Sequence, residues 1–438
     1  MIEFFILDFN RVIIKMLKDG REVKNSYTRA WIIWSIAAIF YLYEMILRVS
    51  PSVMTNDLMA YYDVTSTMLG VLISCYYYSY TLLQVPCGLI LDKLGPRNLI
   101  ALSSLFCAMG SLLFSMTNEI YIAQIGRFFV GAGSACAFIS CLQIATSLFP
   151  KKYFVLIAGI TNMMGTLGGL FGGLPVAKSV NSIGWQNTTL YLSLFGIFLI
   201  ILVFIFIPKK IEHIDEDSKN HISIVSILRK VIINKQVILS GLIAGFMYLP
   251  ISAFSELWAV PFFMTKYNVN NEIASIASAV LFVGVAIGSI ILAIVAKKIQ
   301  SYMKTIRFSA IGVAILFIPL IYVSYSIYIS FSIVFIIGLL TGAQVINFTC
   351  AKNNSTLETS GTTIAFTNGI VMLIGSVFQP ILGVFLDFFW NGSVSESGMR
   401  VYEISTYQKT MLILPICLII SYVLSLYVRE TITTEKDD

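Results

Sequence analysis

The sequence predicts an all-α membrane protein with twelve transmembrane helices, arranged as two bundles of six. Of its 438 residues, 57% are hydrophobic and only 12% are charged, whereas a soluble domain carries roughly 25% charged residues. One crossing of the ~30 Å hydrocarbon layer takes about 20 apolar residues in a helix, and the chain offers twelve such runs. Because the runs lack the alternation that a membrane β-barrel requires, we expect helices.

The twelve runs follow one another along the chain with short polar connections. They cover 30–54, 68–91, 98–117, 120–149, 153–176, 186–208, 237–264, 272–296, 304–324, 327–350, 360–388 and 407–428. The longest polar interior segment, 209–221, carries both histidines and divides the runs six and six. We therefore expect a basic N-terminal arm, an N-terminal bundle, a linker, a C-terminal bundle and a tail. Their bounds are 1–29, 30–208, 209–236, 237–428 and 429–438.

The distribution of basic residues predicts the orientation in the membrane. The connections on one side of the bilayer, together with the two chain ends, hold 23 of the 29 Lys and Arg residues, and the opposite connections hold four. Because positive loops stay in the cytoplasm, both termini are expected there. We expect a multi-pass protein of the inner (plasma) membrane of a bacterium. The net charge of +6 then reflects topology, and no nucleic-acid partner is expected.

The residue types and their spacing do not indicate an enzyme or a bound cofactor. The seven cysteines lie within apolar runs and are expected to be small buried side chains, not metal ligands. They are Cys75, Cys87, Cys107, Cys136, Cys141, Cys350 and Cys417. The chain has no Walker-type phosphate loop, and the spans offer no set of nucleophile, histidine and acid. We therefore expect no ATP-driven reaction, no cofactor and no metal.

The two halves of the chain show weak internal similarity. A single shift places Thr161 and Asn162 of the fifth run on Thr367 and Asn368 of the eleventh. Since membrane proteins are often built from repeated halves, this common shift predicts a parallel duplication.

A charged loop interrupts the apolar sequence between the second and third runs. It reads Gly88-x-x-x-Asp92-x-x-Gly95-x-Arg97. Gly88 lets another helix approach closely, and Asp92 can accept a hydrogen bond from Arg97 or face the positive end of a neighbouring helix. Gly95 permits a tight reversal before Pro96. The loop is either a gating contact or a cytoplasmic turn that is positive only for topology.

This loop resembles the signature loop of the major facilitator superfamily. The stretch GRFFVGAGSA at 126–135 is similar to the Arg-x-x-x-Gly-x-Gly motif of that family. The fifth run contains a ladder of glycines that also resembles a family motif: Gly165, Gly168, Gly169, Gly172 and Gly173. The resemblance covers essentially the whole chain and implies two bundles that rock about a central site. It implies a gating role for the loop, although the corresponding position after the eighth run has Gly288 without an aspartate.

Four ionisable residues lie well inside the predicted spans, where a charge costs several kcal/mol and indicates function. They are Glu44, Arg48, Arg127 and Glu256. With a rise of ~1.5 Å per residue, all four fall in the outer half of the bilayer, two of each sign. Since buried charges are usually paired, we expect a neutral network. Glu44 and Arg48 share one face of the first helix.

Each of these charges has a functional and a structural interpretation. The region at Arg48 resembles the first span of the organic-anion branch of the family, and this resemblance implies that Arg48 binds a substrate carboxylate. The planar guanidinium group also matches a carboxylate in geometry. Alternatively, it pairs with Glu44 or extends to the outer headgroups. Arg127 matches the family's fourth-span arginine and is either structural or linked to proton movement. A proton carrier must titrate in a buried site, which leaves Glu44 and Glu256. We favour Glu256 for coupling or for binding a substrate amine.

Further polar side chains are expected to line a central cavity. Tyr248, Ser252 and Glu256 recur every four residues and give the seventh run a polar stripe. The other candidates for substrate binding are Tyr77, Tyr80, Gln84, Asn162, Gln344, Asn347 and Asn368. For each of them, an interhelical hydrogen bond is the alternative.

The sequence and the resemblance together predict a secondary active transporter of a small polar organic solute, driven by protons through alternating access. The solute is an organic acid, an amino acid or a short peptide. A facilitative uniporter of dipeptides or amino acids and a non-transporting sensor are the alternatives. The chain is also similar to a lysosomal dipeptide transporter branch. That branch has an acidic residue in the fourth span and an arginine in the fifth, but the corresponding positions here fall near Ala135 and Met163–Met164, so the chain departs from the branch at both. The expected partners are the substrate, protons and the lipid bilayer, and the protein is expected to act as a monomer.

Overall fold

The structure, a computed structural model, describes residues 21–84, 86–150, 153–209, 224–356, 359–395, 398 and 400–430. This part of the chain is nearly all helical, and its strand-type pairing is one isolated bridge between Val394 and Arg400. The predicted all-α class is confirmed. Most of the N-terminal arm, both histidines of the linker and the end of the tail lie outside the described residues.

The N-terminal half contains nine described helices. They are α1 (Arg21–Val49), α2 (Thr55–Tyr62), α3 (Ser66–Gln84), α4 (Pro86–Met116), α5 (Ile120–Ser134), α6 (Ala137–Leu148), α7 (Phe154–Gly172), α8 (Leu174–Ile183) and α9 (Trp185–Phe206). A 3-10 turn at Ser50–Val53 ends the first span. The fourth predicted run is divided between α5 and α6, and the fifth between α7 and α8.

The C-terminal half contains ten described helices. They are α10 (Ile224–Ile233), α11 (Lys235–Leu249), α12 (Ala259–Tyr267), α13 (Asn271–Lys298), α14 (Tyr302–Tyr322), α15 (Ile327–Thr341), α16 (Ile346–Asn353), α17 (Ser360–Phe388), α18 (Ile404–Met411) and α19 (Ile413–Ser425). A π-helix at Pro250–Trp258 joins α11 to α12. A 3-10 turn at Gly342–Val345 joins α15 to α16.

The described residues contain ten helical stretches that are long and apolar enough to cross a membrane. The count becomes eleven when α2 and α3, which meet at 110°, are taken as one bent span. The fifth predicted run is outside this count; its helix α7 ends at Gly172, and α8 begins at Leu174. Each of the twelve predicted runs nevertheless contains a described helix.

The boundary between the second and third runs is a turn at Gly95, within the range given for α4. The backbone there has φ 72° and ψ 163°, a conformation that glycine adopts readily. The membrane-spanning part of α4 is Leu94–Met116. The reversal before Pro96 therefore lies where the sequence predicts it.

Glycines allow the closest helix crossings. A Cβ atom built on Gly131 would lie 1.9 Å from the carbonyl oxygen of Tyr76, and one on Gly168 would lie 2.4 Å from that of Leu42. No side chain fits at these distances, so the backbones of the helices lie in direct contact. Gly168 belongs to the predicted glycine ladder, which packs α7 against α1.

Two cysteines correct a prediction made from the sequence. Cys87 and Cys136 form a disulfide across a sequence separation of 49 residues, so the expectation of unpaired side chains is wrong for them. Cys87 lies in α4, and Cys136 lies between α5 and α6. Only the tertiary packing brings these two positions together. Among the described cysteines, the other five are free.

The two halves pack tightly at one end of the molecule. We call this the distal end: it carries the connections 54–65, 323–326 and 389–403, opposite to the chain ends and the linker. Here a Cβ on Gly70 of α3 would lie 2.6 Å from the Cα of Pro380 in α17, and one on Gly383 would lie 2.3 Å from the carbonyl oxygen of Ser66. The structure therefore holds the distal end closed.

Candidate functional site

Arg48 and Glu256 form a buried ion pair between the two halves. Arg48 lies in the last turn of α1, and Glu256 lies on the π-helix of the seventh span. The Nη2 atom of Arg48 is 3.1 Å from Oε1 of Glu256, and Nε is 3.1 Å from Oε2. The two side chains are 5% and 1% exposed. The Nη2–Oε1 distance is an ion-pair contact and the Nε–Oε2 distance a hydrogen bond, since Oε1 of Glu256 has no hydrogen-bond partner among the described residues. Two nitrogens of the guanidinium thus face the two oxygens of the carboxylate, as in other arginine–carboxylate pairs.

Two tyrosines also accept hydrogen bonds from Arg48. Its Nη2 atom donates to the hydroxyl of Tyr77 at 2.9 Å and to that of Tyr248 at 2.6 Å. The hydroxyl of Tyr77 in turn donates to the carboxylate of Glu256. The guanidinium carbon lies 4.8 Å from the ring centre of Tyr77 and 5.8 Å from that of Tyr248, within the range of cation–π attraction. Arg48 is therefore held by groups from both halves.

The other two predicted charges form a separate cluster, and Glu44 does not pair with Arg48. Glu44 accepts a hydrogen bond from the hydroxyl of Tyr76 at 2.9 Å. Arg127 donates to the backbone carbonyl of Leu47 at 2.9 Å, and its guanidinium lies 5.3 Å from the ring centre of Tyr76. No ion pair of Arg127 occurs among the described residues. The four charges therefore do not form the single network that the sequence predicts. Arg48 pairs with Glu256, whereas Glu44 and Arg127 both contact Tyr76.

The remaining predicted site residues lie outside the hydrogen-bond shell of Arg48. Tyr80 stacks on Tyr76 with ring centres 5.8 Å apart, and its hydroxyl contacts the side chain of Asn368. Asn162 of α7 is exposed. Three amides are buried, and each has a side-chain oxygen without a hydrogen-bond partner: Gln84, Gln344 and Asn347. Unpartnered buried acceptors are costly, which makes these oxygens candidates for binding donor groups of a ligand.

The predicted gating loop is described only in part. The surroundings of Gly88 and of the Asp92 side chain lie outside the described residues. Arg97 donates through Nη2 to the backbone carbonyl of Phe204 at 3.0 Å, and its guanidinium lies 5.0 Å from the Phe204 ring centre. Gly95 makes the reversal described above. In this structure Arg97 therefore fastens the loop to α9, within the same half.

A second network between the halves lies at the distal end, and sequence reasoning missed it. Asp387, in the last turn of α17, accepts hydrogen bonds from the backbone N–H of Thr67 at 2.9 Å and from the Thr67 hydroxyl. Arg400 lies 3.2 Å from the other oxygen of Asp387, which also accepts from the hydroxyl of Tyr402. Burial and the bond to Asp387 raise the pKa of Tyr402, so this hydroxyl remains a donor at neutral pH. We call these four residues the distal cluster.

The distal cluster could not be read from the chain because its members are ordinary loop or boundary residues in sequence. An acidic residue at the end of a span is common and signals nothing alone. Asp387 stands out only through its contact with Thr67, which lies 320 residues away in the chain. Thr67 is at the start of a helix, where the helix dipole favours a carboxylate.

Comparison with known proteins identifies one family. The sequence profile of the Major Facilitator Superfamily matches residues 33–389. The "Probable L-galactonate transporter" of Escherichia coli strain K12 is 23% identical over 293 residues, 63% of each chain. The "Probable sulfoacetate transporter SauU" of Cupriavidus necator is 26% identical over 160 residues, 36% of this chain and 37% of the relative. The chain thus matches between about a third and two thirds of the length of these curated relatives.

Solved structures share the fold over nearly the whole chain. A bacterial homologue of the human lysosomal transporter Spinster, in an inward-facing and unoccupied conformation, superposes with a TM-score of 0.78 at 16% identity. The superposition covers 92% of this chain and 99% of that one. A D-xylose–proton symporter superposes with a TM-score of 0.69 at 11% identity, covering 91% and 98% of the two chains. At these identities the likeness establishes the fold alone.

Proposed function

The chain belongs to the Major Facilitator Superfamily, and from this premise we propose that it moves a small organic anion together with protons by alternating access. The family resemblance seen in the sequence is thereby confirmed. The chain is a multi-pass membrane protein and a transporter of small organic solutes, not an enzyme. The anionic substrate class, the proton coupling and the site residues are our proposal.

The single observation that carries this proposal is the buried Arg48–Glu256 pair. A guanidinium buried between two moving halves selects an anionic group, and a carboxylate fits it with two parallel hydrogen bonds. In this structure, Glu256 is that carboxylate. A substrate carboxylate can occupy the same position on Arg48 only when Glu256 releases it.

Protonation of Glu256 supplies this exchange. A proton on the carboxyl removes the negative charge that Arg48 pairs with, and the substrate carboxylate then takes its place. The charge of the site stays unchanged, which matters because an unpaired buried charge is expensive. When the proton leaves toward the other compartment, the ion pair forms again and displaces the substrate. One proton and one carboxylate therefore cross together at this site.

Two observations favour a small hydroxylated carboxylate or a similar anion as the substrate. The printed names of relatives include transporters of L-galactonate, galactarate or D-glucarate, and sulfoacetate. The unpartnered side-chain oxygens of Gln84, Gln344 and Asn347 are acceptors that hydroxyl groups can satisfy. An amino acid or a short peptide would need an anionic partner for its amine. Glu44 is the buried carboxylate left for that role once Glu256 is used for coupling.

The closed distal end supports a proposal for the conformation of this structure. From the positive-inside rule we expect the chain ends and the linker in the cytoplasm. We propose that the distal end faces outward and that the structure is closed on that side, as an inward-facing state requires. In the alternate state the distal cluster would open, and contacts of the loop at Asp92, Gly95 and Arg97 would close the cytoplasmic side. We place the protein in the inner membrane of a bacterium and expect it to function as a monomer.

Uptake into proteoliposomes tests the proposal. Purified protein would be reconstituted with a pH indicator inside the vesicles and offered labelled D-glucarate, galactarate, L-galactonate, sulfoacetate and the dipeptide Ala-Glu. We expect at least one carboxylate or sulfonate to accumulate when the outside is acidic, with acidification of the interior. Arg48→Lys, which keeps the charge but loses the two-pronged contact, should raise the KM at least tenfold.

Lys409→Arg is the control for that substitution, because Lys409 is an exposed cation outside the site, and its uptake should equal that of the unmodified protein. Solute uptake without proton movement would replace symport by facilitated uniport. Binding of an anion without counterflow would indicate a sensor. Transport of the dipeptide and of none of the anions would overturn the proposed substrate class.

A further inference from the structure

The carboxylate proposed for coupling lies on an unusual helical segment. The seventh span contains nine consecutive π-helical residues, Pro250–Trp258, and all nine are buried. π-helices are rare, usually short and often found at functional sites. Because their hydrogen bonds join residues five apart, and not four as in an α-helix, a change between the two forms would turn Glu256 about the helix axis. The form of this segment therefore determines whether Glu256 points at Arg48.

Gln379 of α17 contacts this segment at two points. Its side-chain Nε2 atom donates to the backbone carbonyl of Ser252 at 2.8 Å. Its own backbone carbonyl accepts from Nε1 of Trp258 at 3.2 Å. Gln379 is completely buried, with 0% exposure. The two contacts flank Glu256 along the chain, so this glutamine restrains the backbone that carries the carboxylate.

The same glutamine also reaches the other half of the protein. The hydroxyl of Ser74 in α3 donates to Oε1 of Gln379 at 3.4 Å. One turn earlier, a Cβ on Gly70 would lie 2.9 Å from the carbonyl oxygen of Gln379, so α3 and α17 are in backbone contact there. Tyr77, which binds both Arg48 and Glu256, lies on the same helix α3. The π-helix, α17 and α3 thus meet at one side chain.

We propose that Gln379 is a positioning residue that holds the π-helical segment in the form that directs Glu256 at Arg48. Through Ser74 it also links that form to closure of the distal interface between α3 and α17. When the distal end opens and α3 moves away from α17, Gln379 loses its hydrogen bond with Ser74 of the other half. Its hydrogen bond to Ser252 is then no longer supported from that half. This inference rests on the proposed function, because it explains how opening would change the Arg48–Glu256 pair.

Carbodiimide labelling of the full-length protein tests the inference without a substrate. Dicyclohexylcarbodiimide modifies membrane-embedded carboxyl groups in their protonated form, and mass spectrometry of the digest locates the product. Glu256 should label slowly at pH 7, because Arg48 and Tyr77 bind its carboxylate. Arg48→Met sets the upper limit, since it removes the contact with Arg48. Gln379→Met, which removes both side-chain hydrogen bonds at similar volume, should raise labelling of Glu256 at least threefold toward that limit.

Two controls make the result specific. Gln408→Met removes a similar glutamine-to-carbonyl bond, from Gln408 to Ile321 at 3.2 Å within one half, and should leave labelling unchanged. Glu44, read in the same digest, should also be unchanged, because its partner Tyr76 is not altered. Gln379→Asn keeps a polar amide but shortens its reach, and it should give an intermediate increase. It also serves if Gln379→Met does not fold.

Each outcome decides the inference. Equal labelling of Glu256 in the unmodified protein, Gln379→Met and Gln379→Asn, while Arg48→Met is raised, would overturn the role of Gln379. No increase even in Arg48→Met would remove the basis of the inference, since contact with Arg48 would then not protect Glu256 from labelling. Labelling needs no transported solute, so a failure of all anions in the uptake assay would reject the proposed function and leave the result for Gln379 intact.

Discussion

At single residues, the site depends on one cation and on which anion neutralises it. Tyr77 and Tyr248 bind Arg48 through neutral hydroxyls, so they orient the guanidinium but do not balance its charge. Glu256 alone among its hydrogen-bond partners carries a charge. The protonation state of Glu256 therefore decides whether Arg48 is available to a substrate.

Replacing Glu256 by glutamine should separate substrate binding from proton coupling. Glu256→Gln is neutral at every pH and leaves Arg48 without a competing carboxylate. We expect acid-driven accumulation to fall to the level seen without a pH gradient, while exchange of labelled for unlabelled substrate continues at pH 8. Both are measured in proteoliposomes. Glu403→Gln, an exposed distal residue, is the control and should keep the pH dependence; acid stimulation that survives Glu256→Gln would contradict the coupling role.

The sequence singled out both members of this pair but not their pairing. Any glutamate or arginine inside a span attracts attention because of its cost in lipid. Arg48 had a nearby candidate partner, Glu44, one turn away on the same helix. The actual partner lies 208 residues away in the chain, and short-range spacing carries no information about contacts between halves.

At the helices, glycine positions set how closely the spans pack. Gly131 of α5 meets the Tyr76 carbonyl of α3 directly, beside the tyrosines of the site. The ring of Tyr76 also contacts that of Tyr77, with ring centres 5.3 Å apart. The packing of α5 therefore affects the position of the residues that bind Glu44 and Arg48.

Adding one methyl group at Gly131 should destabilise the protein. In Gly131→Ala the new Cβ would lie 1.9 Å from a backbone oxygen, so one helix must move, and overpacking of this kind costs typically 1–3 kcal/mol. We expect a lower melting temperature, measured by thermal unfolding in detergent. Gly369→Ala in α17 is the matched control, because no atom lies within 4 Å of its built Cβ. Equal melting temperatures for the two variants would show that the crossing is looser than the structure indicates.

The helix types were only partly predictable. Runs of apolar residues predicted where helices occur, because each span must satisfy its backbone in lipid. The π-helix at Pro250–Trp258 has the same composition as an α-helix, and its form depends on neighbours such as Gln379. Proline did not predict helix ends, because it occurs inside α17 and α14 without ending them.

For the whole molecule, the contacts between the halves define the conformation. Within the described part, hydrogen bonds between the halves join the distal cluster, the Arg48 site, Ser74 with Gln379, and Asn271 with Val53 and Asn181. These contacts must break for the distal end to open. A cavity of about 420 Å³ lies at the distal end beside these contacts, and it is lined by Asp63 of one half and Arg400 of the other.

Weakening the distal cluster should shift the molecule toward an opened distal end. Asp387→Asn loses the charge that pairs with Arg400 and that caps the start of α3 at Thr67, which weakens the closed form. We expect a longer distance between spin labels at Tyr61 and Val394, one in each half, in a larger fraction of molecules. Glu403→Gln is the control, since its bond to Ser393 stays within one half. An unchanged distance distribution would show that the cluster does not hold the distal end.

The orientation of the whole chain can be tested with two exposed positions at opposite ends of the molecule. Ser324 lies in the connection between α14 and α15 at the distal end, and Lys352 lies in the last turn of α16 at the opposite end. Because basic connections remain in the cytoplasm, a membrane-impermeant maleimide added to intact cells should label Ser324→Cys only. Lys352→Cys should react after permeabilisation. The reverse pattern would invert the topology and the direction of the proposed proton coupling.

Composition and periodicity alone were enough to establish that the protein is helical and lies in a membrane, because lipid imposes those properties on every segment separately. Motifs added the family, and the cost of buried charge pointed to Arg48 and Glu256. The partner of each charge, the disulfide of Cys87 and Cys136, the π-helix and the distal cluster followed only from tertiary structure. The charge partners, the disulfide and the distal cluster join residues that lie apart in the chain, and the π-helix is packed against a residue of another span. No local pattern constrains such contacts, because they exist only once the chain has folded.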